Sequence, residues 1–244
     1  MKLNCDMGES FGSWSKGMDA EVMPYIDMAN IACGFHASDP LTMDLTVQMA
    51  LERDVQIGAH PGYPDLLGFG RRDLHCSAEE LKMMVIYQIA ALDGICRVNG
   101  TAISYVKPHG ALYNKMMLDR DILATVMNAV ADYNPELALV VLANGDREAI
   151  LKLAEQQKLR VLFEAFADRA YDDNGSLVKR NQPGAVLSDE LQIERQVMEI
   201  VHEGKVTSLS GRAIPMQADT ICVHGDNEHA VNAARHIRKT VGLL

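Results

Sequence analysis

The chain has 244 residues, 48% of them hydrophobic and 23% charged, which is enough apolar mass for one large core. A formal net charge of -10 and a pI near 5.2 argue against nucleic acid as a partner. The longest purely aliphatic run, residues 137–143, is too short to span a bilayer, so no membrane partner is expected.

Residues 1–3 run at once into the polar, acidic stretch 4–9, which does not read as a secretory leader. The five cysteines are scattered, odd in number and without a Cys-x-x-Cys pair. That suits a reducing compartment better than a disulfide framework or structural zinc, so a cytoplasmic location is expected. Nothing in the composition cuts the chain, and residues 1–244 read as a single domain.

Short apolar runs alternate with longer segments of helical period. The first expected strand, residues 2–5, leads to Asp6 and Glu9. The second, 28–33, contains Asn30 and leads to His36, after which Asp39-Pro40 supplies an N-cap and a first-turn proline. The third, 55–59, ends at His60. Its exit loop, "PGYPDLLGFGRRDLHC", has room to fold over a mouth and bring Arg71 or Arg72 to an anion.

A helix over 77–97 follows, opened by the capping box Ser77-Ala78-Glu79-Glu80 and striped by Leu81, Val85, Ile89, Leu92 and Ile95. The fourth strand, 103–106, exits into Lys107-Pro108-His109-Gly110. A strand that only had to stop could use Pro and Gly alone, so the Lys-x-His pair needs a further reason. Asp119 starts the next helix and Asn134-Pro135 stops it. The fifth strand, 137–143, leads to Asn144 and Asp146, where a helix begins at Gly145-Asp146. The sixth, 161–166, leads to Asp168 and Arg169 and to a long connection, "ADRAYDDNGSLVKRNQPGAVL". Its Asn174-Gly175 suits a hairpin flap. Ser188-Asp189 starts another helix. The seventh strand, 220–223, exits at His224 and Asp226, and Asp226-Asn227 starts the last helix.

Strand–helix alternation repeated seven times predicts an α/β protein with a parallel sheet, either an open doubly wound sheet or a closed β/α barrel. Both put the active site at the carboxyl ends of the strands. Of the eight histidines, His36, His60, His109 and His224 follow apolar runs; His202, His229 and His236 fall in helical patterns and His75 in a loop. One strand-end histidine is more often a satisfied hydrogen-bonding group than a catalyst. Four of them with acids alongside point to a shared polar site, and Lys107 and His109 read as one strand's contribution to it.

Such a set could bind a divalent metal through Asp and two His and activate water. Without metal, a His–carboxylate pair could act as general base while Lys or Arg stabilises an oxyanion. Neither His-Glu-x-x-His nor a compact His-x-His pair occurs, so the metal is left unassigned. Cys33 near His36 reads as core packing before it reads as a nucleophile. No phosphate-binding loop of the Gly-x-x-x-x-Gly-Lys-[Ser/Thr] type is present.

The motifs "LNCDMGES", "ANIACGFHASDP", "IGAHPGYPD" with "GFGRR", "YVKPHGALYN", "EAFADRAY" and "DTICVHGD", in that order, resemble the LamB/YcsF family from Leu3 to near the C-terminus. Cys5 and Ser10 depart from the family pattern, where Ala and Gly are expected, while Asp6 and Glu9 are retained. The resemblance implies an irregular seven-stranded β/α barrel related to glycoside hydrolases and polysaccharide deacetylases. It also implies the reaction of 5-oxoproline with ATP and water to L-glutamate, ADP and phosphate, with 5-oxoprolinase subunits B and C as partners. ATP is then expected to act through those partners, which would phosphorylate the unreactive lactam carbonyl.

On this reading Asp6 with His60 or His109 deprotonates water, and Lys107 with Arg72 or Arg169 holds the phosphate or oxyanion. His36, His224 and Asp226 line the pocket or protonate the leaving nitrogen, and Glu9, Asn30 and Asp168 complete the binding set. Two alternatives stay open: a metal-dependent deacetylase or amidohydrolase working without ATP, and a non-catalytic lactam-binding subunit.

Overall fold

All seven apolar runs form strands in the computed structural model, which describes residues 1–143, 146–225 and 228–240. In chain order the first elements are β1 (Lys2–Met7), α1 (Asp19–Val22), β2 (Met28–Ala32), α2 (Pro40–Glu52), β3 (Gln56–His60), α3 (Ala78–Val98), β4 (Tyr105–Val106) and α4 (Gly110–Leu118). They are followed by α5 (Arg120–Tyr133), β5 (Ala138–Leu142), α6 (Arg147–Gln156), β6 (Arg160–Phe166), α7 (Glu190–Met198), β7 (Lys205–Thr207), β8 (Ala213–Pro215), β9 (Thr220–Val223) and α8 (Glu228–Thr240).

Strands β1 to β6 pair in sequence, and β9 pairs with both β6 and β1, all in parallel. This closes a seven-stranded barrel and excludes the open sheet. The short antiparallel hairpin β7–β8 stands outside the barrel and has no counterpart among the expected strands. β1 runs past Cys5 because Asp6 and Met7 stay in register with Asn30 and Ile31 of β2. β4 is shorter than expected, although Ser104 N–H still reaches the Ile57 carbonyl at 2.8 Å.

The helix starts follow local hydrogen bonding. Ser77 and Glu80 form the expected reciprocal capping box on α3, and Leu81, Val85, Ile89 and Leu92 are buried beneath it. Asp39, Asp119 and Asp189 each accept backbone N–H groups at the starts of α2, α5 and α7. Asp146 precedes α6 without a side-chain cap bond, and Asn144, Gly145, Asp226 and Asn227 lie outside the described residues. No helix among the described residues is long and apolar enough to cross a membrane.

The period-two alternation of strand side chains sorts the barrel into an outer and an inner set. Outward residues such as Leu3, Ala29, Ile57, Val106, Leu139, Phe163 and Ile221 join the main core beneath the helices. Inward residues Met28, Tyr105, Ala138, Val140 and Leu162 form a separate apolar plug inside the barrel. Further along the same inward faces come Asn4, Asn30, Glu164 and Thr220, then Asp6, His60, Lys107 and His224 at the carboxyl end. Gly58 makes room for this layering: a Cβ there would lie 2.1 Å from the Tyr105 ring, which crosses the interior to reach Asn30.

Candidate active site

Lys107 sits at the floor of a cavity of about 650 Å³ at the carboxyl ends of the strands. Its Nζ lies 2.7 Å from Glu164 Oε1, 3.0 Å from Asp6 Oδ1, 3.0 Å from Asn4 Oδ1 and 3.2 Å from Cys222 Sγ. Burial alone would favour the neutral amine, but Asp6, Cys222 and Glu164 outweigh it and push its pKa well above that of a free lysine.

Asp6 is the complementary group. Burial pushes its carboxyl up, while His60 and Lys107 more than reverse this and hold it well below the usual carboxylate range. Its Oδ1 also accepts from Asn30 Nδ2 at 2.8 Å; Asn30 in turn donates to Asn4 and accepts from Tyr105 Oη at 2.7 Å. Side chains from four strands thus fix one carboxylate in one orientation.

The histidines form a stack beside this floor. His60 Nδ1 donates to the Lys107 carbonyl at 2.6 Å, and its Nε2 lies 3.3 Å from Asp6 Oδ2. His109 Nε2 donates to the Phe69 carbonyl at 2.9 Å, and its Nδ1 lies 2.9 Å from His60 Nε2. His36 stacks on His109 with ring centroids 3.7 Å apart and planes 3° from parallel. Burial lowers the pKa of both His36 and His109 well below the free value. Glu9 Oε1 lies 3.8 Å from His36 and 3.9 Å from His109, and burial raises its pKa.

The rim is supplied by two loops. The loop after β3 folds over the mouth as expected: Gly70 has φ of +61°, and a Cβ there would lie 2.7 Å from His36 and 2.9 Å from His109. The connection after β6 turns at Asp172–Ser176, with Gly175 at φ of +82° and an antiparallel bridge between Tyr171 and Leu177. This is the hairpin-like flap anticipated at Asn174-Gly175, and it lines the cavity from Asp172 to Gln182.

His224 joins flap to floor. Its Nδ1 lies 2.7 Å from Asp168 Oδ2, and Arg180 Nη2 lies 2.8 Å from its Nε2. Burial opposes the imidazolium, but Asp168 outweighs it and raises the His224 pKa; the same pair lowers that of Asp168. A raised histidine contributes stability that is complete below its unfolded pKa of about 6.5 and is lost as pH rises through the folded value. Asp168 contributes stability that is lost only as pH falls through its lowered value. Replacing His224 with Asn should therefore lower the melting temperature more at about pH 6 than at about pH 9. Equal losses at both values would remove the charged pair from the stability balance.

Of the sequence-predicted residues, Asp6, Glu9, His60, Lys107, His109 and His224 line the cavity together. Asn30 lies beneath the floor and His36 behind His109, so both position other groups instead of facing a ligand. Asp168 stands behind His224 and opens toward a smaller neighbouring pocket. Arg72 pairs its guanidinium with Asp65 and is not among the residues that line the cavity, whereas its neighbour Arg71 is. Arg169 lines the cavity as well. It is buried at the cavity edge and donates to the Val178 carbonyl at 2.6 Å and the Ala185 carbonyl at 3.2 Å, holding the flap. Asp226 lies outside the described residues. Cys33 is buried, donates to the Ile31 carbonyl and has its thiol pushed up to about 12 by burial, which leaves it inert.

Sequence reading missed Glu164, Asn4, Asp19 and Arg180. Glu164 is fully buried inside a run read simply as a strand. A lone acid among apolar residues two positions before an inward Phe166 was the available signal. Asp19 accepts from Gly8 N–H at 2.7 Å, lines the cavity and is raised by burial to about 6.

Barrel and site define a parallel β/α-barrel protein whose carboxyl end gathers a buried lysine, four histidines and several carboxylates. The chain belongs to the LamB/YcsF family, whose sequence model matches residues 1–242. It is 55% identical over 238 residues to the 5-oxoprolinase A subunit of Vibrio cholerae, covering 98% of this chain and 96% of the relative. It is 53% identical over 236 residues to the 5-oxoprolinase A subunit of Chromohalobacter salexigens, covering 97% and 94%. Among solved structures it resembles the lactam utilization protein from Thermus thermophilus, with a TM-score of 0.91, 40% identity and coverage of 99% and 97%.

Proposed function

We propose that this chain is the ring-opening subunit of an ATP-dependent 5-oxoprolinase, converting 5-oxo-L-proline to L-glutamate in concert with partner subunits B and C. The relatives named as 5-oxoprolinase A subunits and the lactam utilization protein support the substrate class. The observation that carries the chemistry is the ionised Asp6, held 3.0 Å from Lys107 and 3.3 Å from His60 at the cavity floor. It keeps a fixed negative charge beside His60, the two forming a carboxylate–histidine pair next to a fixed cation.

A five-membered lactam is a stable amide with a weakly electrophilic carbonyl. Phosphorylation of its oxygen by ATP, through the partner subunits, makes the ring carbon attackable. A water held against the Asp6–His60 pair on its cavity side gives up its proton to that pair and adds to that carbon. Lys107 stabilises the negative charge on the adding oxygen. The ring nitrogen takes a proton from the histidine cluster and leaves as the amine. The resulting acyl phosphate is hydrolysed by a second water to the carboxylate and phosphate. Lys16, Arg71 and Arg180, which line the outer cavity, are suited to the phosphate.

The test is glutamate release from 5-oxoproline by the purified chain, alone and with candidate partner subunits, each with and without ATP. Glutamate formed only with both ATP and partners is the expected result. Glutamate formed without ATP would replace this reading by an independent amidohydrolase, and none under any condition would remove the substrate.

A further inference from the structure

His60 Nδ1 and His109 Nε2 both face backbone carbonyls, at 2.6 and 2.9 Å. A carbonyl oxygen only accepts, so both nitrogens carry hydrogen. In the neutral rings the lone pairs therefore lie on His60 Nε2 and His109 Nδ1, and these atoms are 2.9 Å apart. Two lone pairs at that separation repel unless they share a positive centre. Asp6 Oδ2 lies 3.3 Å from His60 Nε2 and Glu9 Oε1 lies 3.9 Å from His109 Nδ1, so each of the two lone pairs has a carboxylate oxygen beside it.

We infer that His60, His109, Asp6 and Glu9 form a binding site for one divalent first-row transition-metal ion. An outer N–H held by a backbone carbonyl is the arrangement that fixes the tautomer of a metal-ligating histidine, and both rings have it. The ring planes lie 85° apart, so one ion can lie in both. His36 is not a ligand with His109, because their parallel rings share no in-plane point. With metal–nitrogen bonds of about 2.1 Å, a 2.9 Å nitrogen separation subtends about 90°. That angle suits neighbouring positions of a five- or six-coordinate ion, whereas a tetrahedral one needs about 3.4 Å between its donors. Two imidazoles and two carboxylates select manganese, iron, cobalt, nickel or expanded-coordination zinc over calcium or magnesium. Where the ion is bound, the Asp6 and His60 atoms proposed above as the base are its ligands, and its Lewis acidity would take their place in activating water; the ion's binding itself does not rest on that function.

The full chain, stripped with a chelator and dialysed, would be titrated with cobalt(II) without substrate and followed by visible d–d absorption and elemental analysis. One equivalent should bind. His60→Ala and His109→Ala should each weaken binding by more than about 100-fold, while His36→Ala, which removes a ring packed on His109 but no donor atom, should weaken it by about 10-fold or less. Absence of a cobalt band in the wild-type chain, or a band unaffected by either ligand substitution, overturns the site. So does a nitrogen-15 spectrum showing a proton shared between His60 and His109 that stoichiometric cobalt fails to displace. Running the glutamate assay with partners and ATP on the same preparations separates the two readings: cobalt bound tightly with no glutamate formed leaves the ion site standing and removes the lactam.

Discussion

Asp6→Asn should lower glutamate formation by the assembled complex by about 10²–10⁴-fold, the usual contribution of a positioned general base. The change is nearly isosteric, and the apolar plug below and the helices outside are untouched, so circular dichroism should match the wild type. Asn30 can still donate to an oxygen at position 6, because only one of the two oxygens is replaced. What disappears is the negative charge that faces both Lys107 and His60. Loss of kcat with little change in KM is expected, since the group acts on water and not on the ring. Turnover within a few-fold of wild type, with the barrel intact, would sink the assignment of Asp6. The better account would then be a chain that binds lactam without catalysing its opening.

Lys107→Met should cost about 3–5 kcal/mol of stability, because it strands a fully buried Glu164 carboxylate whose cation lies 2.7 Å away. The double replacement Lys107→Met with Glu164→Leu should recover part of that stability, since it removes the stranded Glu164 carboxylate and leaves Asp6 with His60 as its neighbouring partner. It should recover none of the turnover, because the cation facing Asp6 and the cavity is gone in both. Urea unfolding and the ATP-dependent assay, run on the wild type and on both variants, separate the two roles. A double variant as unstable as the single one would mean that Glu164 is satisfied by other groups. A double variant with wild-type turnover would remove Lys107 from the chemistry.

Much of the barrel was legible because its causes are local. The seven apolar runs lie where strands form, and Ser77 with Glu80, Asp39, Asp119 and Asp189 cap the helices expected of them. Asp6, His60, Lys107, His109 and His224 could be grouped on sequence alone, because in any parallel α/β protein strand exits share one face. The motif resemblance then implied the closed, irregular seven-stranded barrel that strand–helix alternation left undecided.

Tertiary structure decided what depends on residues far apart in the chain. Closure rests on β9 pairing with β1, with Leu3 opposite Ile221, a register that no local pattern specifies. Arg71 and Arg72 are sequence neighbours of the same type, yet Asp65 captures one guanidinium while the other borders the cavity. Glu164 could be recognised only once barrel curvature brought it under Lys107, 57 positions away in sequence by subtraction of their numbers. The order of residue types along the chain determined which groups reach the barrel mouth. The tilt and closure of the sheet, set by long-range pairing, determined which of them touch, because contact distances of about 3 Å depend on backbone positions that short-range propensity does not control.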